Sequence, residues 1–128
     1  MKYTHKVGTA AGTFPPFLVG KEEIVLTSVT LMSISPGDRV TLRLDVGWKK
    51  PVQWDKGEIE LRIRKDTHDG SVIYRTLETC LEKAYTMEIV TETGSVPVQH
   101  FYLTACSPDS RAIITGPYSL QGSVFPVS

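Results

Sequence analysis

The residues of this 128-residue chain best suited to chemistry are three histidines, two cysteines and a short acidic cluster. Asp66-Thr-His68-Asp69-Gly70 places two carboxylates and an imidazole within one short segment, a set that could offer oxygen and nitrogen ligands to a cation. The same residues also compose an ordinary turn, with Asp at the early positions and Gly supplying positive φ at the end. A metal site wants three or four ligands held by outer hydrogen bonds, so the spacing predicts the turn and no metal. Cys80 and Cys106 could join His100 in a Cys/His site, but their separation fits no zinc pattern and neither belongs to a Cys-x-x-Cys. Two free thiols, packed as small apolar groups, are expected, with a single disulfide as the alternative. His5, His68 and His100 are the candidate general bases. No Gly-x-Ser-x-Gly accompanies them, and His100 stands beside Phe101 and Tyr102 on an alternating stretch, as a hydrogen-bonded structural histidine would. Glycine-rich nucleotide motifs are absent. The expectation is a non-enzyme without a cofactor.

One segment has the composition of a binding platform. Trp48-Lys49-Lys50-Pro51-Val52-Gln53-Trp54-Asp55-Lys56 interleaves two aromatics with lysines, as a glycan or single-stranded nucleic-acid surface does. Trp48 continues the apolar face of the strand before it and belongs to the core. That leaves Trp54, with Lys50 and Lys56, as the weaker candidate ligand site of a lectin-like sandwich, against a plain solvated connection.

The elements that would position these residues are strands. In Arg39 to Trp48, Val40, Leu42, Leu44, Val46 and Trp48 share one face, with Arg39, Thr41, Arg43 and Asp45 on the other. Glu58 to Arg64 repeats the pattern, with Ile59, Leu61 and Ile63 inward. Softer strands are predicted over residues 23–34, 72–75, 85–92, 98–105, 111–115 and 118–125, with a helical turn possible only within 76–83. Pro36-Gly37-Asp38, Lys50-Pro51, Asp69-Gly70, Gly94-Ser95, Ser107-Pro108-Asp109-Ser110 and Gly116-Pro117 read as the turns between them. Roughly eight short strands without intervening helices mean an all-β sandwich, jelly roll or antiparallel barrel. Residues 1–22 read as a loose arm and 23–128 as one sandwich domain.

At 41% hydrophobic and 22% charged residues the composition is that of a globular domain, large enough to be stable without disulfides or a structural metal. Fourteen basic and 14 acidic side chains cancel, which removes a global drive toward nucleic acid or anionic membrane. The cancellation hides unlike regions. Residues 1–65 hold 11 basic and 7 acidic groups, residues 66–95 hold 2 and 6, and residues 96–128 hold only Arg111 and Asp109. A nearly charge-free close lies either in the core or against another protein. The start of the chain is too polar and too proline-broken for a signal peptide, and no apolar run is long enough to span a membrane, so a protein made in the cytoplasm is expected.

The order of several motifs adds a resemblance. Asp45-Val-Gly-Trp48 closing its strand, Glu60-Leu-Arg-Ile-Arg-Lys65, Tyr102-Leu-Thr-Ala105, and Ala112 followed by Thr115-Gly-Pro-Tyr-Ser-Leu-Gln-Gly122 resemble small C1q/TNF-like jelly-roll proteins of spore-forming Firmicutes, some of which form globular heads on the spore surface. The similarity covers roughly residues 24–125. It implies a jelly roll of about eight to ten antiparallel strands that assembles as a homotrimer, carries no catalytic residues and is deposited on the spore surface, with a glycan or another surface-layer protein as a further partner. No collagen-like Gly-x-y tail is present, so a stand-alone head or a soluble relative is expected rather than a filament tip. Late strands of such a fold contribute to the subunit contact, which nominates Phe101, Tyr118, Leu120 and Phe125 as a self-association surface.

Overall fold

The structure, a computed structural model, describes residues 1–127. Nine strands are present: β1 (Tyr3–Thr9), β2 (Phe17–Val19), β3 (Ile24–Leu31), β4 (Arg39–Lys49), β5 (Gly57–Lys65), β6 (Val72–Cys80), β7 (Lys83–Thr93), β8 (Gln99–Cys106) and β9 (Ala112–Phe125). They form two antiparallel sheets, one ordered β1-β9-β4-β7 with β2 also on β9, the other β3-β8-β5-β6. The pairs β1 with β9, β3 with β8, β4 with β7 and β5 with β6 are nested. The chain is thus one long hairpin, folded at the β5–β6 turn and rolled so that successive pairs fall on opposite sheets, which is the jelly-roll path. No described residue is helical, so none forms a helix long and apolar enough to cross a membrane.

Period-two alternation builds the core. Leu42, Leu44, Val46, Trp48, Leu120 and Ile114 from one sheet meet Leu31, Ile59, Leu61, Ile63, Phe101 and Leu103 from the other, all essentially without solvent exposure. Trp48 takes the core position expected of it, and its indole N–H donates to Thr86 Oγ1 at 3.4 Å.

Three expectations are corrected. Residues 1–22 are not a loose arm: β1 pairs along its whole length with β9, and β2 pairs with β9 beyond it. The arm carries too few apolar residues to show a period, yet backbone pairing to a central strand needs none. Segment 76–83 holds no helical turn, because β6 continues to Cys80 and β7 begins at Lys83. Gly116-Pro117 does not end a strand. The ladder between β4 and β9 passes from Val46↔Tyr118 to Trp48↔Ile114, so residues 115–117 are bulged out of a single long strand, where a proline without an N–H is tolerated. Gly116 has φ of 83°, and its carbonyl oxygen would lie 2.3 Å from a Cβ placed on Gly47. Gly47→Ala is therefore expected to force β4 and β9 apart and lower stability by about 1–3 kcal/mol, read as a fall in the urea midpoint with an unchanged slope.

Candidate functional site

The structure separates the residues that sequence placed in candidate sites. Asp66 ties its turn to β8 by accepting a hydrogen bond from Gln99 Nε2, while Asp69 accepts one from Thr67 Oγ1 at 3.0 Å, which with the charge of His68 holds its carboxyl below the usual range. Among the described residues, no three His, Cys, Asp or Glu side chains converge. Cys80 and Cys106 are free and buried on strands separated by β5, and burial pushes both thiols up. His5 and His100 flank Thr30, whose backbone N–H donates to His5 Nδ1 at 3.2 Å and whose hydroxyl pairs with His100 Nδ1 at 2.9 Å. Both are structural contacts of β1 and β8 with β3. The Arg111 guanidinium lies 4.0 Å from the centroid of the Trp54 ring and covers one face of it, while Lys56 is drawn 3.8 Å from Glu58. The open stacking platform of the lectin reading is thus half taken.

Two of the four residues nominated for self-association are corrected. Phe101 is 1% exposed and Leu120 fully buried inside a single chain. Tyr118 packs edge-on against Phe14 at 5.4 Å, and Phe125 lies under the Arg39 guanidinium at 4.8 Å. The charge-free close is uncharged because β9 is a central strand, flanked by β1 and β2 on one side and β4 on the other.

What the fold leaves open is the outer face of the β1-β9-β4-β7 sheet. On its edge strand β7, Tyr85, Met87 and Ile89 alternate outward and are 56%, 52% and 65% exposed, an uninterrupted apolar row. Register sets Gly47, Asp45 and Arg43 of β4 beside those three in turn. The outward charges of this face are Lys6, Arg39, Arg43, Lys49 and Lys83 against the lone carboxylate of Asp45. Asp45 is only 7% exposed. Its Oδ2 accepts from Ser119 Oγ at 3.3 Å and lies 3.4 Å from Arg43 Nε, but Oδ1 has no donor. A groove of about 420 Å³ runs past it, lined by Lys6, Gly8, Tyr85, Pro117 and Ser119. Burial, and then the Asp45 charge, raise the Tyr85 phenol above its ordinary value. Alternation marked Asp45 only as outward; its burial comes from neighbours on β7 and β9 that no local pattern announces.

The adjoining edge of the sandwich carries the opposite sign. Glu78 of β6 and Glu88 and Glu92 of β7 stand half-buried at positions facing between the sheets, with Glu82 in the turn joining the two strands. Burial, followed by the charges of Glu88 and Glu78, raises the Tyr74 phenol between them. Inward-pointing charge on edge strands discourages another strand from adding to them. The edge is left as an acidic side surface rather than a template for pairing.

No protein-family model matches the chain, and no curated protein does. Among solved structures, that of infectious bursal disease virus Gx strain is similar with a TM-score of 0.37 and 13% sequence identity, over 96% of this chain and 39% of that one. The chain thus spans about two-fifths of the length of the viral chain. The jelly-roll assignment rests on the strand order itself.

Proposed function

We propose that the protein is a non-enzymatic, self-assembling jelly-roll module whose copies associate head to tail. The outer face of the β1-β9-β4-β7 sheet of one copy takes the β6–β7 edge of the next. The observation that carries this reading is the charge opposition on one molecule: five cations against one carboxylate on the face, and Glu78, Glu82 and Glu88 at the edge, with Glu92 beside them paired to Lys65 at 3.8 Å. Like faces would repel, whereas face and edge attract and can close into a ring. The row of Tyr85, Met87 and Ile89 supplies apolar area where the two surfaces adjoin. Three copies is the stoichiometry that the C1q/TNF-like resemblance implies, and a spore-surface layer is the setting that goes with it.

Light scattering coupled to size exclusion tests this at micromolar concentration. The expected result is a multiple of the chain mass for the parent protein and a folded monomer for Ile89→Glu, since Ile89 is two-thirds exposed and its replacement disturbs no core contact. A parent protein that runs as a monomer overturns the reading.

A further inference from the structure

We infer that the end of the sandwich formed by the β4–β5 loop and the β6–β7 turn is a docking surface for an anionic lipid bilayer. Val52 and Leu81, at the apices of loop and turn, are 87% and 68% exposed. Two exposed aliphatic side chains beside a cluster of lysines are the combination that an amphipathic surface presents to a bilayer. Val52 borders a concave patch of about 400 Å³ together with Lys49, Lys50, Glu82 and Lys83. Lys49 and Lys83 sit directly opposite one another across β4 and β7, a like-charge pairing that a sheet does not favour. None of Lys49, Lys50 and Lys83 is in an ion pair among the described residues. Lys49, Lys50, Lys56 and Lys83 against Asp55 and Glu82 leave the tip at net +2 within a chain of zero net charge. A dissolved anion would answer the lysines and leave Val52 and Leu81 in water. A bilayer answers both, with headgroup charge at the level of the lysines and acyl chains beneath.

The tip is held in shape before any encounter. Lys50 N–H donates to the Glu82 carbonyl at 3.1 Å, tying loop to turn, and Trp54 N–H donates to the Pro51 carbonyl at 3.2 Å while Arg111 stacks on its ring. Little conformational freedom is then lost on binding. Whole-chain neutrality, which argued against membranes, does not govern a patch of this size, because exposed charges farther away than about 8–10 Å are screened at physiological salt.

Co-sedimentation with vesicles tests the inference, using phosphatidylcholine alone and phosphatidylcholine with about one-third phosphatidylserine. The expected result is binding to the anionic vesicles, loss of binding at high salt, and no binding to phosphatidylcholine alone. Val52→Ser, and independently Leu81→Ser, are expected to lower partitioning about tenfold, and Lys50→Ala about fivefold. Absence of binding to anionic vesicles overturns the inference, as does equal binding to neutral ones. Unchanged binding of both serine variants, with competition by soluble tripolyphosphate, would assign the lysines to a dissolved polyanion and overturn it as well. The oligomeric mass of each variant, measured alongside, keeps this outcome separate from that of self-association, which uses none of Lys50, Val52 and Leu81.

Discussion

Phe101→Ala is expected to lower the unfolding free energy by about 3–5 kcal/mol, the usual loss when a buried aromatic side chain is cut to a methyl and its space is only partly refilled. Phe101 is 1% exposed on β8, opposite Val29 of β3 and Lys65 of β5, and belongs to the cluster that joins the two sheets. A domain of this size has a total stability of roughly 5–15 kcal/mol, so the variant sits near the limit of folding at physiological temperature. Urea unfolding checks the magnitude. The contrast with Ile89→Glu gives the experiment its meaning: loss of stability at Phe101 and loss of mass at Ile89 place the first in the core and the second on the contact. If Phe101→Ala kept its stability within about 1 kcal/mol and became monomeric, the two residues would have to exchange roles.

The chain showed its strands in residues whose period carries them. Val40 to Trp48 and Ile59 to Ile63 alternate without exception, and both segments lie where alternation puts them, in β4 and β5. Alternation fixes which side of a strand is apolar but not which strand lies beside it. The sparse charge after residue 96 could therefore mean core or contact, and only the position of β9 at the centre of its sheet decides for core. Phe101 and Leu120 were assigned to the wrong surface for this reason: inward and self-associating side chains have the same composition. The charge map fared better, because a run of like charges stays together on a pair of adjacent strands. The acidic middle became the β6–β7 edge. Asp45 and Glu23 were illegible, since one is buried by strands distant in sequence and the other acts from a connection with no period.

Glu23 carries the second large effect. It lies in the connection between β2 and β3, outside any strand, and folds over the outer face of the β3-β8-β5-β6 sheet. Its Oε1 accepts from Arg62 Nη1 at 2.5 Å and Arg64 Nη2 at 2.7 Å, and its Oε2 from Arg64 Nε at 2.6 Å. Glu60 extends the network, accepting from Arg62 and lying 3.4 Å from Arg75 Nε. The hydrogen bonds from Arg64, followed by the charges of Arg64 and Arg62, outweigh burial and hold the Glu23 carboxyl at about 2, against an ordinary value of 4.5. A folded-state value below the unfolded one means that the stabilisation is fully present above the unfolded value and is lost as pH falls from about 4.5 through about 2. With about a fifth of the side chain still exposed, the contribution at neutral pH is roughly 2–3 kcal/mol. Glu23→Gln should thus unfold at lower urea than the parent at pH 7, and the two curves should converge as the pH approaches 2. A stability difference that stayed constant over that range would show that the carboxylate charge is not what holds the connection in place. The same network accounts for the choice of contact surface. On the outer face of this sheet the charges of Glu23, Glu60, Arg62, Arg64 and Arg75 are spent on one another within the chain, whereas on the opposite sheet Lys6, Lys49 and Lys83 are left without an internal ion-pair partner among the described residues. A neighbouring copy can be attracted only by charge that is still free, and that directs assembly to the β1-β9-β4-β7 face.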